Sequence, residues 1–152
     1  LLSSKKPWPV ALGLALPLIS VPIWIVLLVR GSIRRSVRTA HKIILTEKID
    51  VVVGFSWGGG VACWLMESGI WAGPTLLLAP TVFAMSAASR WEPPRMVGNR
   101  LDIFLAKNDP FCPPGQVRYF QEMGGTVHLN YDSHVLSRSQ REIQENLEEL
   151  LS

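Results

Sequence analysis

Five residues, Gly54-Phe55-Ser56-Trp57-Gly58, constrain this chain's fold more than any other stretch. They follow the apolar run Val51-Val52-Val53 and precede residues 59–67, which read as a helix. A G-x-S-x-G element needs that order of strand, tight turn and helix. A serine at the tip of such a turn sits in strained backbone with its hydroxyl exposed. Glycines are expected at 54 and 58 because a Cβ at either place would meet the neighbouring strand or helix. Ser56 is therefore a candidate nucleophile, and the bland alternative is a turn serine that caps the following helix.

The periodicity on either side supports a layered α/β architecture. Residues 32–47 read as an amphipathic helix, 49–55 as a buried strand and 57–68 as a helix stopped by Gly69. A second buried strand covers 75–79. The stretch 81–99 reads as a loop with one short helix, and 101–106 (LDIFLA) is a third strand. Pro113-Pro114 opens a helix to about Met123, and 126–131 alternates as a half-exposed edge strand. Ser139-x-x-Glu142 reads as a capping box for a last helix, whose apolar face is Ile143, Leu147, Leu150 and Leu151. Strands alternating with helices imply a parallel sheet with helices on both faces. Ligand chemistry then falls at the C-terminal ends of the strands, where Ser56, Asp109 and His134 lie.

Residues 9–29 carry no charge in 21 positions, close to the ~20 that a helix needs to cross a bilayer core. Lys5 and Lys6 flank one side, and Arg30, Arg34, Arg35, Arg38 and Lys42 the other. The expectation is an N-terminal apolar segment over 1–30, a single-pass membrane anchor, ahead of a domain over 31–152. The basic flank places that domain on the cytoplasmic side. The competing readings are a signal peptide, disfavoured by the length of the run, and a core strand over 21–29, favoured by its β-branched residues and by Pro17 and Pro22. The first residue is Leu, which reads as a fragment or a processed form. A net charge of +3, concentrated behind the apolar run, fits a membrane flank and not a nucleic-acid surface. Cys63 and Cys112 lie in no C-x-x-C pair and beside no histidine cluster, so neither a metal nor a cofactor is expected.

The three polar residues at strand ends occur in the order Ser…Asp…His. With G-F-S-W-G-G, K-N-D-P-F-C-P-P and Y-D-S-H around them, the chain from about residue 32 resembles the second half of an α/β-hydrolase. The resemblance implies a nucleophile (Ser56), a base (His134), an acid (Asp109) and an oxyanion donor in the backbone N–H of Trp57. Asp109 also reads as a turn residue before Pro110; the other acids are Asp102, inside a strand, and Asp132, two residues before His134. His41 and His128 read as solvated. Phe55, Trp91 and Phe111 are candidates for an apolar acyl pocket, or core. The implied activity is a serine hydrolase of esters, lipid esters or thioesters, acting on small-molecule or lipid substrates. The family has further strands before the nucleophile, whose loops give a second oxyanion donor, and no such motif precedes Ser56. A reduced fold is therefore expected, with a non-catalytic hydrolase-like interaction module as the alternative.

Overall fold

The computed structural model describes residues 8–96, 98 and 100–152, with side chains from residue 21 onward. Four short apolar runs form its sheet: β1 (Val52–Phe55), β2 (Thr75–Leu78), β3 (Leu101–Ala106) and β4 (Thr126–Asn130). They pair in that order, all parallel, so each must be followed by a crossover. The crossovers contain α2 (Trp57–Glu67), α3 (Val82–Ser89) and α4 (Val117–Glu122), the last entered through a short 3₁₀ turn, Pro114–Gln116. Before β1 runs α1 (Trp8–Thr46), and after β4 comes α5 (Gln140–Leu151).

Successive side chains on a strand point to opposite faces. All six residues of β3 are buried, so this strand is covered on both sides. One cover is α2 with α1 and α3, and α4 joins the same side through the Phe83 and Tyr119 rings, 5.0 Å apart. The other cover is α5, which reaches β4 through Glu142 and His128. The core between these layers holds Leu76, Leu77, Ile103, Phe104, Leu105 and Phe120, all fully buried. On α5 the face made by Ile143, Leu147 and Leu150 packs inward as expected, whereas Leu151 is exposed.

The N-terminal third departs from expectation. The apolar run and the amphipathic segment are one helix of 39 residues, continuous through Pro17 and Pro22. A core strand over 21–29 is thereby excluded. The docked part is set by spacing: Ile33, Val37, Ala40 and Ile44 recur at three and four residues and pack against the core. Upstream of these, Val21, Ile23, Trp24, Ile25, Leu27 and Leu28 are each about half exposed or more. Among the described residues no helix is long and apolar enough to cross a membrane. The Lys5-Lys6 flank lies outside the described residues.

The outer edge of β1 has no partner strand among the described residues. Val53 and Phe55, on the face that α5 covers further along the sheet, are each 47% exposed. Helices on both faces thus hold for β3 but not for β1.

Candidate active site

The turn after β1 is built by close backbone approach. A Cβ on Gly54 would lie 2.7 Å from Gly59 Cα, and one on Gly59 would lie 2.8 Å from Pro80 Cβ. The strand end, the start of α2 and the exit of β2 therefore meet through glycine. At Gly58, by contrast, a Cβ would meet nothing within 4 Å. The packing demand expected at 58 falls on 59. Ser56 itself has φ 51° and ψ −115°, a left-handed conformation costing roughly 1–3 kcal/mol for a non-glycine residue. Its backbone is held there: the N–H donates to Leu78 O at 2.8 Å, and the carbonyl accepts from Gly60 and Thr81 N–H at 3.2 and 3.1 Å.

Strain places the hydroxyl where two other strand ends deliver their side chains. Ser56 Oγ is 2.8 Å from His134 Nε2, and His134 Nδ1 is 2.7 Å from Asp109 Oδ2. Asp109 follows β3 and is buried. Its second oxygen accepts the N–H groups of Phe111 and Cys112 at 2.8 and 3.0 Å, which fixes the carboxylate plane. A carboxylate so placed makes Nδ1 the protonated nitrogen and leaves Nε2 free to take the serine proton. Trp57 is the first residue of α2, so its N–H is one of the helix's four N-terminal donors without an intrahelical partner.

The acid and histidine loops are tied together. Lys107 N–H donates to Asn130 O and Asn108 N–H to Asp132 O. Asp132 organises the rest: its carboxylate accepts Ser133, Arg138 and Ser139 N–H and the Ser139 hydroxyl. Burial alone would raise this carboxyl, but the four hydrogen bonds together outweigh it and hold the group below the ordinary carboxylate range. The capping box expected at Ser139 and Glu142 does not form, because other groups claim both side chains. Ser139 Oγ donates to Asp132, and Glu142 accepts from Asn130 Nδ2 at 2.7 Å.

Of the aromatic candidates, Phe55 and Phe111 flank the His134 ring at 5.3 and 5.2 Å. Trp91 stands elsewhere, against Trp64 and beneath the guanidinium groups of Arg30 and Arg34. Asp102 and His128, read as a strand acid and a solvated histidine, form a pair of their own. His128 stacks on Phe104 and lies 3.3 Å from both Asp102 and Glu142. A carboxylate in the otherwise apolar run LDIFLA was the signal that it had a partner. His41 lines a groove between α1 and α2.

Metal-ligand atoms of Asp109, Cys112 and His134 lie within 4.8 Å of one another. The donor set fits a metal poorly, since two members are already hydrogen-bonded to each other. The Cys112 thiol donates to Pro80 O at 2.8 Å, and burial, then the Asp109 charge, pushes it up to about 12, away from the ligating thiolate.

No family model matches the sequence, and neither does any curated protein. Solved structures do match. One is an α/β-superfamily protein from Xanthomonas campestris pv. campestris, assigned as a hydrolase, with a TM-score of 0.60 at 20% identity over 81% of this chain. Another, from Thermoplasma acidophilum and assigned as a CIB-like hydrolase, gives 0.62 at 12% identity over 80%. The chain has the α/β-hydrolase fold. An esterase from Pyrococcus furiosus shares it at a TM-score of 0.52 and 14% identity over 66%. The chain spans 68%, 61% and 52% of the lengths of those three proteins. Its four strands run from the nucleophile strand onward, so the elbow lies at the sheet edge.

Proposed function

We propose that this chain is a serine hydrolase that cleaves carboxylic esters or thioesters through an acyl-enzyme. The hydrogen-bonded line Ser56–His134–Asp109 carries the reading. His134 Nε2 takes the Ser56 proton as Oγ attacks the acyl carbon. The imidazolium then gives that proton to the departing alcohol or thiol, and Asp109 stabilises it meanwhile. Water enters by the same route in reverse, with His134 as base, and releases the acid. The tetrahedral oxyanion falls to the Trp57 N–H. Phe55 and Phe111 line the approach and favour an apolar acyl group, whether of a small-molecule or a lipid ester. A fluorophosphonate probe tests this. Labelling of the wild type is expected, absent in Ser56→Ala and strongly slowed in His134→Ala; folded wild-type protein that takes no label overturns it.

The span of about half to two thirds of its structural neighbours favours a second reading, a hydrolase-like module with impaired catalysis. One oxyanion donor fewer costs about 2.7–4 kcal/mol of transition-state stabilisation. The probe separates the two readings.

The membrane is the proposed place of action, with the hydrolase-like domain on the cytoplasmic side. Support comes from the exposed apolar residues between Val21 and Leu28 and the arginines that follow them. The protein should stay in the pellet through a carbonate wash; its release would remove this part of the reading.

A further inference from the structure

Away from the triad, α1 and α2 enclose an open cavity of about 400 Å³. Its floor is apolar, made by Ile33, Val37, Trp64 and Ile70, and one wall carries Arg34 and Arg38. Both arginines are exposed, one turn apart on α1, and among the described residues neither pairs with a carboxylate. Arg34 is steadied over the Trp91 ring, 5.4 Å from its centroid. One carboxylate, Glu67, lines the groove against these two guanidinium groups and accepts the Arg95 N–H at 3.1 Å. The groove thus joins an apolar floor to a cationic rim.

Its position along α1 indicates what fills it. At 1.5 Å per residue, Arg34 lies roughly 7 Å and Arg38 roughly 13 Å beyond Val29, where the charge-free run ends. A bilayer's headgroup layer is about 5–7 Å deep on each side of its hydrocarbon core. With the apolar end of α1 in the hydrocarbon, Arg34 stands at the outer edge of the headgroup layer and Arg38 one turn beyond it, and both side chains are long enough to reach back to a phosphate. We propose that the α1–α2 groove binds an acidic phospholipid of that bilayer. Its phosphate pairs with Arg34 and Arg38, and its glycerol and acyl root lie on Ile33, Val37 and Trp64. The site rests on the membrane part of the reading above and is independent of catalysis.

The test uses Ser56→Ala protein, so that turnover cannot consume the lipid, with phosphatidylcholine vesicles with or without phosphatidylglycerol. Binding to both is expected, tighter to the acidic ones. Arg34→Gln with Arg38→Gln should weaken acidic-vesicle binding about tenfold or more and leave neutral binding unchanged. Arg118→Gln with Arg141→Gln, on α4 and α5, removes two positive charges elsewhere and should change little. Equal binding to neutral and acidic vesicles, or an equal loss in that control, overturns the groove. Failure to bind neutral vesicles overturns the membrane reading instead. Monomeric short-chain phosphatidylglycerol, read by tryptophan emission, reports on the groove without a bilayer. No arginine-dependent response there also overturns it. Both arginines are exposed, so the variants should fold, and a circular dichroism melt checks this.

Discussion

Ser56 is held in a conformation it would not choose, by three backbone hydrogen bonds and by glycine on either side. The two glycines that follow Trp57 have opposite duties, which makes a sharp comparison. Gly59→Ala puts a methyl 2.8 Å from Pro80 Cβ and 2.9 Å from Gly54 O, and backbone cannot retreat as a side-chain tip can. A loss of roughly 1–3 kcal/mol in urea denaturation is expected, with the elbow disturbed. Gly58→Ala fills open space inside α2 and should stabilise by roughly 0.5–1 kcal/mol through helix propensity. If both variants behave alike, the close approach of α2 to β1 and β2 is not what glycine serves here. At the acid, Asp109→Asn keeps an oxygen for the Phe111 and Cys112 N–H groups but turns an amide donor toward His134. The wrong tautomer follows, and ester turnover should fall about 10³–10⁴-fold with little change in melting temperature.

Among the elements, the histidine loop between β4 and α5 depends on one carboxylate. Asp132 braces the entry to α5: it accepts the N–H groups of Arg138 and Ser139, just ahead of the helix, and the Ser139 hydroxyl, which leaves Ser139 without a capping bond of its own. Its carboxyl titrates below the ordinary range in the folded chain, so the unfolded chain binds this proton first as pH falls. The stability it contributes is whole above about pH 4 and is lost as pH drops through the lower, folded value. Asp132→Asn should lower stability at neutral pH by roughly 1 kcal/mol, modest because the covering loop is itself at the surface, and flatten the acid limb of a urea midpoint-against-pH curve. An unchanged acid limb would mean that the loop is held by the Lys107 and Asn108 backbone bonds alone. These details were hidden in the sequence for a physical reason. Strands and helices announce themselves by period, and the triad by its order along the chain. The contest between Asp132, Asn130 and Glu142 for Ser139 is settled only when the strand end brings them together. The Asp102–His128 pair was hidden likewise, because its partners are 26 residues apart and meet only across β3 and β4.

At the scale of the whole molecule, the open side of β1 is the unusual feature. The sequence foretold it by what was missing: no strand-like run precedes β1 except residues 21–29, and these are helical. The docked half of α1 was legible from its spacing, but its fusion with the apolar run into one helix was not, since the two differ in pattern and read as separate segments. Among the described residues, the result is a parallel sheet whose nucleophile strand is also its edge, with unpaired backbone groups and the half-exposed side chains of Val53 and Phe55. Such an edge is a template for another strand. Dynamic light scattering on detergent-solubilised protein should therefore show self-association that grows with concentration. A charge on this edge should suppress it. Val53 suits the test: it lies three residues before Ser56, beyond the reach of α5 on the face that helix covers further along, and its side chain is 47% exposed. Val53→Lys should shift the scattering toward the smallest species and leave probe labelling at Ser56 intact, because lysine can carry its ammonium group out into water. Self-association that persists in Val53→Lys and disappears when Trp24, Leu27 and Leu28 are made polar would assign the contact to the exposed end of α1 and free the sheet edge from it.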